Sequence, residues 1–368
     1  MFTIIIVGGG IAGARVAQEL AKFRNKDIVI KLIDLKNYFE VPYATLRGII
    51  KPNTIGKKLR KYYRDFIRVD FIQGKVIEIN PNNIKLENGK ELKFNIAIIA
   101  TGSKYKHFSI PKPSDIVTSM KERDKQFHEE HQKLVKAQHI LIIGGGPVGV
   151  ELAGDIAYYY PKKTIYLVEA LPRLLNNFKP RASKIAKEQL EKMGVQVILN
   201  EFIERDMNET GLWVSKKTNK SYSADLVYFC IGVSINTAFM KLYFSKKVNE
   251  NSQIMVNDKL HLSNYNNIYA IGDCSDINEF KLGYLADKQA KYLVKNLKKI
   301  INNNYNLKTS LRSYKPKSTI SIIPIGKKNG IVQLPIGVFK FKPLVAYKNK
   351  DLFIKRQFRK LKTTPNPI

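Results

Sequence analysis

The chain has 368 residues, enough for two or three domains, and its hydrophobic content of 44% is that of a globular protein. No apolar run reaches the roughly 18 residues of a transmembrane helix, and no basic segment precedes the first predicted strand, so we expect a cytoplasmic protein without a signal peptide. An excess of 63 Lys and Arg over 31 Asp and Glu gives a net charge of +32, which favours anionic partners such as dinucleotides, acidic lipids or nucleic acid.

The first predicted element is a buried strand, residues 4–7, that runs into Gly8-Gly9-Gly10-Ile11-Ala12-Gly13 and then a helix. In this motif the first glycine makes the tight turn, the third lets the backbone approach a pyrophosphate, and the last lets the helix pack closely on the strand. The next apolar run ends at Asp34, where a carboxylate can hold an adenosine ribose. The segment from Gly8 to Asp34 is therefore predicted to bind a dinucleotide.

A further buried strand, residues 96–99, ends in Ala100-Thr101-Gly102, which is similar to the turn that closes the FAD domain of flavoproteins. The stretch 105–137 follows, rich in Lys, His and Glu, and is predicted to be a linker with a solvated helix. Its histidines are interpreted as surface residues, because no cluster in the chain has metal-ligand spacing.

The dinucleotide motif then recurs: residues 140–143 lead into Gly144-Gly145-Gly146-Pro147-Val148-Gly149, and the strand after the helix ends at Glu169. One such motif arises by chance or for packing reasons, but two complete strand–turn–helix–strand–acid units predict two dinucleotide sites. Glu169 would hydrogen-bond the 2′-hydroxyl of NADH and repel the 2′-phosphate of NADPH. Arg173 is close enough to soften that repulsion, so NADH is expected and NADPH stays open as a second substrate.

Glu151 stands on the first turn of the helix that follows the second glycine motif. We assign it to ordering the nicotinamide of NADH beside the flavin. The alternative is a helix N-terminal carboxylate that is stabilised by the helix dipole.

Two late strands complete the pattern. Residues 226–231 end at Gly232, and residues 267–271 end at Gly272-Asp273. The second of these resembles the strand whose terminal aspartate hydrogen-bonds the ribityl chain of FAD; an ordinary strand followed by an Asx turn is the alternative.

These resemblances place the chain in the pyridine nucleotide–disulfide reductase superfamily. They imply an α/β fold with two Rossmann-like dinucleotide-binding domains, for FAD and for NAD(P)H, and a small α+β extension. The predicted boundaries are 1–104 with 256–310 for the FAD domain, 105–137 for the linker, 138–255 for the inserted NAD(P)H domain and 311–368 for the C-terminal extension.

The chain lacks the pair of nearby cysteines with which disulfide reductases of this superfamily pass electrons to thiols. Cys230 and Cys274 are 44 positions apart and are predicted to be structural. Electrons are therefore expected to leave the reduced flavin directly, after hydride transfer from the nicotinamide.

Four segments narrow the resemblance: 35–40, 44–47, 325–330 and 348–353. Together they resemble the ferroptosis suppressor proteins, also called apoptosis-inducing-factor-like mitochondrion-associated proteins, which are NAD(P)H:quinone oxidoreductases. The resemblance implies FAD contacts from Gly8 to Ala12, Arg47, Val76 and Asp273, and we add Lys36. Two features depart from the animal members: the myristoylation signal is missing here, and their second unit carries no acid like Glu169.

The C-terminal extension is basic, with 14 Lys and Arg and one acid, Asp351. Residues 319–325 and 331–341 are predicted to form hairpins, and 352–362 an amphipathic helix. That helix either lies on an anionic membrane or docks its apolar face on the FAD domain. Lys348 and Phe353 are predicted to wall a quinone entrance; ordinary surface or core positions are the alternative.

Three functions remain open on the sequence. The leading one is an NADH:quinone oxidoreductase, because no redox disulfide is present and the tail is basic and apolar-rich. A reductase of a small, acidic iron–sulfur carrier is the second. The third is a nucleic-acid-binding protein on the same fold, which the charge supports although no base-reading module is recognised.

Overall fold

The structure, a computed structural model, describes residues 1–23, 26–205 and 211–367. Its strands are, in chain order, β1 (Phe2–Val7), β2 (Ile28–Asp34), β3 (Tyr38–Glu40), β4 (Arg60–Tyr62), β5 (Asp70–Gln73), β6 (Val76–Ile79), β7 (Asn83–Leu86), β8 (Glu91–Lys93), β9 (Ile96–Ile99), β10 (Ser103–Tyr105), β11 (His139–Ile143), β12 (Thr164–Glu169), β13 (Val195–Leu199), β14 (Ile203–Arg205), β15 (Leu212–Ser215), β16 (Ser221–Ser223), β17 (Leu226–Phe229), β18 (Val233–Ile235), β19 (Ile268–Ala270), β20 (Ser321–Ile325), β21 (Asn329–Leu334) and β22 (Gly337–Phe339). The α-helices are α1 (Ile11–Leu20), α2 (Thr45–Ile50), α3 (Met120–Lys136), α4 (Pro147–Tyr159), α5 (Pro180–Glu191), α6 (Lys241–Phe244), α7 (Gly283–Asn302), α8 (Lys342–Asn349) and α9 (Ile354–Lys360).

The first Rossmann unit is built on a five-stranded parallel sheet in the order β19-β9-β1-β2-β5. Ile4 and Ile6 of β1 point into one hydrophobic cluster, while Ile5 and Val7 point into another on the opposite face. Both faces of the sheet are therefore covered, which is why β1 is an uninterrupted apolar run.

The second unit repeats this plan with a four-stranded parallel sheet in the order β13-β12-β11-β17. Its central strand β11 also divides its side chains between two clusters, Ile140 and Ile142 on one face and Leu141 and Ile143 on the other. The α/β fold with two Rossmann-like units is thus confirmed.

The chain enters and leaves the second unit along an antiparallel ribbon of β10 and β18. Beyond β18, the apolar side chains of Phe239, Met240 and Phe244 pack in the cluster that contains Ile5 and Ile99 of the first sheet. The return to the first unit therefore begins at β18, well before the predicted boundary at residue 255. The segment 239–244 belongs with the first unit because it covers the second face of that unit's sheet.

Helix α3 begins with a capping box, in which Ser119 accepts a hydrogen bond from the backbone N–H of Glu122 and the Glu122 carboxylate accepts one from the backbone of Ser119. The prediction of a solvated helix is wrong for one face, because Arg123, Phe127 and Leu134 are buried. The guanidinium of Arg123 donates to both carboxylate oxygens of Glu40, at 3.0 and 2.9 Å. A buried charge on α3 thus attaches the linker to the first unit.

The C-terminal extension forms the predicted hairpins, with β20, β21 and β22 in one antiparallel sheet. Helix α9 buries Phe358, whose ring lies 5.7 Å from that of Phe39 in β3. The side-chain amide of Gln18 in α1 donates to the carbonyl of Leu361 at 2.6 Å. Of the two alternatives for this helix, the structure shows docking on the first unit. Among the described residues, no helix is long and apolar enough to cross a membrane.

Candidate functional site

A cavity of about 640 Å³ extends from the glycine turn of the first unit to the first turn of α4 in the second. Its walls come from both units, including the turn after β19, and from the segment 111–115 of the linker. The predicted residues that line it are Gly8, Gly9, Gly10, Ile11, Ala12, Asp34, Lys36, Val76, Ala100, Thr101, Gly102, Glu151 and Asp273.

The glycine turn has the geometry that the motif requires. Gly8 has φ +99°, a conformation that other residues rarely adopt, and a Cβ on Gly13 would overlap the carbonyl oxygen of Gly8. A Cβ on Gly10, in contrast, would meet no heavy atom within 4 Å and would project into the cavity. Gly10 is also the N-cap of α1, so the free backbone N–H groups of the helix face the cavity. This cradle suits a pyrophosphate.

Asp34 is held in a fixed position at the end of β2. Its Oδ2 accepts a hydrogen bond from the backbone of Gly9 at 2.5 Å, and its Oδ1 accepts from the backbone and the Nζ of Lys36, each at 2.8 Å. Lys36 therefore lines the cavity as the counter-ion of Asp34.

Sequence reasoning missed Tyr63, which also shapes the glycine turn. Its hydroxyl donates to the carbonyl of Gly9 at 2.8 Å, and its ring occupies the space that a Cβ on Gly9 would need. Burial raises the pKa of this phenol well above its usual range, with the charge of Asp34 adding to the effect. No local pattern around residue 63 announces this role, because the contact joins positions 54 residues apart.

The structure gives Arg47 partners within the protein, and its flavin contact stays a prediction. Its guanidinium is buried and forms a bidentate pair with Asp155 of α4, at 3.0 Å from Nε and 2.5 Å from Nη2. Its Nη1 donates to the amide oxygen of Asn349 at 2.7 Å. Arg47 is not among the described residues that line the cavity. It ties α2 to α4 and to α8, because a buried guanidinium must be paired with acceptors and Asp155 and Asn349 supply them.

The second glycine turn repeats the geometry of the first. Gly144 has φ +114°, a Cβ on Gly149 would overlap the carbonyl oxygen of Gly144, and a Cβ on Gly146 would meet no heavy atom within 4 Å. The carboxylate of Glu169 accepts from the backbone of Gly145 at 2.6 Å and from that of Leu171 at 2.9 Å. The second unit thus offers a ribose-binding acid in the same place relative to its turn as Asp34.

Two further residues near this turn were singled out on the sequence. Gly232 has φ +73° and lies between β17 and β18, directly before β18. The guanidinium of Arg173 donates to the carbonyl oxygens of Phe178 and Asn176, at 2.9 and 2.5 Å. Arg173 is thus hydrogen-bonded to backbone carbonyls, and the described residues show no hydrogen bond from it to Glu169.

Glu151 of α4 carries the second unit's contribution to the cavity. Its Oε1 accepts a hydrogen bond from Nζ of Lys348 at 3.1 Å, and Lys348 also donates to the carbonyl of Ile322 at 2.7 Å. Burial raises the pKa of Glu151 above its ordinary value, although the charge of Lys348 opposes the change. The carboxyl can therefore hold a proton nearer neutral pH than an exposed glutamate.

The quinone wall of Lys348 and Phe353 stays a prediction. Neither residue is among the described residues that line the cavity. Lys348 is buried and acts on the cavity through Glu151. Phe353 has φ +58°, precedes α9 and packs its ring 5.5 Å from that of Tyr347. Lys348 lies at the junction between the extension and the second unit, and Phe353 packs within the extension.

Within the described part of the chain, Cys230 and Cys274 are both buried and free of disulfide bonds. Burial raises the pKa of each thiol, so both stay protonated and unreactive at neutral pH. The same residues include no group of three or more His, Cys, Asp or Glu side chains that could hold a metal ion.

Residues 2–290 match the family model described as pyridine nucleotide-disulphide oxidoreductase. Ferroptosis suppressor protein 1 of Xenopus tropicalis is 30% identical, over 98% of this chain and 96% of its own length. Apoptosis-inducing factor homolog B of Dictyostelium discoideum is 31% identical, over 99% and 98%. The solved structure of the sulfide:quinone oxidoreductase from Aquifex aeolicus has a TM-score of 0.77 at 19% identity, covers 98% of this chain and 92% of its own, and shows the same fold. The chain belongs to the pyridine nucleotide-disulphide oxidoreductase family, in the group that contains the ferroptosis suppressor proteins.

Proposed function

We propose that the chain is an FAD-dependent NAD(P)H:quinone oxidoreductase that prefers NADH. The observation that carries this is the single cavity in which the glycine turn and Asp273 of the first unit meet Glu151 of the second. FAD bound there would accept a hydride from the nicotinamide and pass two electrons to a quinone. The buried and separate cysteines support an acceptor that reacts at the flavin itself rather than through a thiol pair.

The residues of the chain would bind, orient and supply charge. The N-terminus of α1 would hold the pyrophosphate of FAD, with Asp34 on its adenosine ribose and Asp273 on its ribityl hydroxyls. Glu151, at the junction between the units, would orient the nicotinamide. Because burial raises its pKa, the Glu151 carboxyl can also hold a proton at Oε2, the oxygen that does not accept from Lys348, and deliver it as the quinone takes up two electrons.

The preference for NADH rests on the second unit. Glu169 is anchored by two backbone N–H groups, so its charge stays at the end of β12. Arg173 donates to two carbonyl oxygens instead of facing that end. A 2′-phosphate would therefore meet an uncompensated carboxylate.

We also propose a cytoplasmic protein that contacts anionic membranes through its extension. Helix α9 is docked on the first unit, so we assign the membrane contact to another part of the extension. This part, which we call the extension face, comprises Ile336, Phe339, Phe341 and Tyr347. These large apolar side chains are exposed, Ile336 by 83%, and Lys340 and Lys342 lie between them. Exposed apolar groups among lysines fit the headgroup region of an anionic bilayer.

Stopped-flow absorbance tests the catalytic proposal. The holoprotein should show flavin absorbance that NADH bleaches and that a water-soluble quinone restores, faster than dioxygen alone. Bleaching without faster reoxidation by any quinone would contradict the proposal. Fast, salt-sensitive reduction of an acidic iron–sulfur carrier, with slow quinone turnover, would favour a carrier reductase instead.

Vesicle co-sedimentation tests the membrane contact. Vesicles with phosphatidylserine should bind the protein, and Ile336→Ser with Phe341→Ser should weaken binding about thirtyfold, since each exposed side chain contributes about 1 kcal/mol. Leu242→Ser with Tyr243→Ser in α6 is the matched control, because these side chains are also exposed and follow Lys241. Equal losses in both double variants would contradict the assignment to the extension face.

A further inference from the structure

Lys112, in the segment 110–113 of the linker, lies next to the carboxylate of Asp273 in the turn after β19. Nζ of Lys112 lies 2.6 Å from Oδ2 of Asp273 and 2.5 Å from Oγ of Ser103. Ser103 itself donates to the same Oδ2 at 2.7 Å. All three residues line the cavity. The lysine comes from outside both glycine motifs, 161 residues away from the aspartate.

The contacts to Asp273 are one-sided. Both hydrogen bonds end on Oδ2, and no described residue donates to Oδ1. A carboxylate held by one oxygen has a fixed plane, so its second oxygen keeps a fixed direction and a full lone-pair capacity. That oxygen is the acceptor left for a hydroxyl of the bound cofactor.

The backbone on either side of Lys112 is rigid. Pro111 and Pro113 flank it, and each fixes its own φ and restricts the residue before it. Arg123 of α3 donates to the carbonyls of Ser109 and Ile110, at 2.7 and 2.6 Å. Lys112 therefore loses little further backbone freedom when it meets Asp273.

The rigid backbone depends on a buried ion pair that no catalytic step uses. Arg123 is fully buried, and its guanidinium is shared between these two carbonyls and the carboxylate of Glu40. Burial alone would raise the pKa of Glu40, but Arg123 and Arg60 overcome it, and the pKa stays below its ordinary value. The pair remains charged at neutral pH, so the linker stays tied to the first unit.

We propose that Lys112 is a positioning residue of the FAD site, which keeps Asp273 ionised and turns its free oxygen toward the ribityl hydroxyls of the cofactor. The proposal rests on the assignment of this cavity to FAD. It gives the linker between the two units a direct part in holding the flavin, with the buried pair of Arg123 and Glu40 as its support.

The electrostatics agree with the geometry. Burial would raise the pKa of Asp273, but the charge and hydrogen bond of Lys112, the Ser103 hydroxyl and the more distant charge of Lys281 lower it below its ordinary value. Tyr105 and Cys274 also lie near Asp273; burial raises the pKa of both, so they stay neutral in acid. Removal of Lys112 therefore raises the pKa of Asp273 and leaves the other groups in their neutral or cationic forms.

The test measures FAD affinity by fluorescence quenching on the stripped full chain, at pH values from 4.5 to 7.5. Lys112→Met should weaken FAD binding about tenfold at pH 7.5, because the Ser103 hydroxyl is then the one remaining donor of the described residues that holds Asp273. Because FAD binding needs the Asp273 carboxylate, affinity falls as the pH drops. In Lys112→Met that fall should begin at a higher pH than in the wild type.

Two control variants separate this role from general effects. Lys106 directly follows β10, is exposed and does not line the cavity. Lys106→Met should therefore leave both the FAD affinity and its pH profile unchanged. Lys112→Arg keeps the charge and should recover most of the affinity. Lys112→Met with wild-type affinity and pH profile overturns the proposal, and so does an equal loss in Lys106→Met. If the wild-type chain itself binds no FAD, the assignment of the cavity fails before Lys112 is tested.

Discussion

The two Rossmann units use the same local design and differ in what covers them. In each, a strand-end carboxylate accepts one bond from the middle glycine of the turn and one from the backbone two residues on. The first unit is then covered by the linker and the docked α9, and Asp34 is buried. Glu169 keeps a partly exposed position. The same glycine turn and strand-end carboxylate can therefore serve a cofactor that stays bound and one that exchanges. The rest of the chain decides how far each cofactor is enclosed.

The largest expected effect comes from the helix-packing glycines. Gly13→Ala should abolish FAD binding, because its methyl group would overlap the Gly8 carbonyl. Gly149→Ala should leave FAD bound but abolish bleaching by NADH, because the same clash occurs at Gly144. Gel filtration with flavin absorbance, followed by NADH titration, checks both. Loss of FAD in both variants would show that the units do not bind their cofactors separately.

The second largest effect is expected when α9 loses its packing against the first unit. Phe358→Ala should lower the free energy of unfolding by about 4 kcal/mol, since a fully buried aromatic ring against Phe39 is lost. Urea denaturation of the FAD-free protein measures this. Phe341→Ala, at an exposed position, should change it by less than about 0.5 kcal/mol. A loss under about 1 kcal/mol for Phe358→Ala would mean that α9 does not dock in solution.

The third largest effect is expected at the ion pair of Lys348 and Glu151, which joins the extension to the second unit. Lys348→Met should destabilise the fold by about 3 kcal/mol, because it leaves the Glu151 carboxylate buried and unpaired. The pKa of Glu151 in the folded state lies above its ordinary value. The contribution of this group to the stability of the fold is therefore lost as the pH rises through the folded-state pKa. Lys348→Met raises that pKa further. The loss should therefore be larger at pH 8 than at pH 5, where Glu151 takes up a proton.

The double variant Lys348→Met with Glu151→Gln serves as the control for that prediction. It should recover stability at pH 8, since no charge remains to be buried. Equal losses at both pH values for Lys348→Met alone would indicate a packing effect instead of a charge effect.

The smallest expected effect concerns the choice of nicotinamide cofactor. Glu169→Gln keeps the shape and an acceptor but removes the charge, so the kcat/KM ratio of NADPH to NADH should rise about tenfold, or about 1.4 kcal/mol. Steady-state kinetics with both cofactors measures it. An unchanged ratio would show that Glu169 does not face the 2′ position. Arg173→Gln should leave the ratio unchanged, because that guanidinium already donates to carbonyl oxygens.

The sequence predicted most accurately where a feature depends on neighbouring residues. A left-handed turn at Gly8, a methyl-free contact at Gly13 and a carboxylate at the strand end are local requirements, and they recur at Gly144, Gly149 and Glu169. Amphipathic patterns likewise predicted the hairpins and the helix of the extension. The two units and their order along the chain followed from these local rules alone.

The tertiary structure decided which distant groups meet. Arg47 pairs with Asp155, Lys348 pairs with Glu151, and α9 docks with Phe358 against Phe39. Each of these contacts joins residues more than 100 positions apart, and a basic side chain shows no local sign of which carboxylate it will find. Burial then fixes the choice, because a charge removed from water must be paired, and the fold determines which partners are within reach.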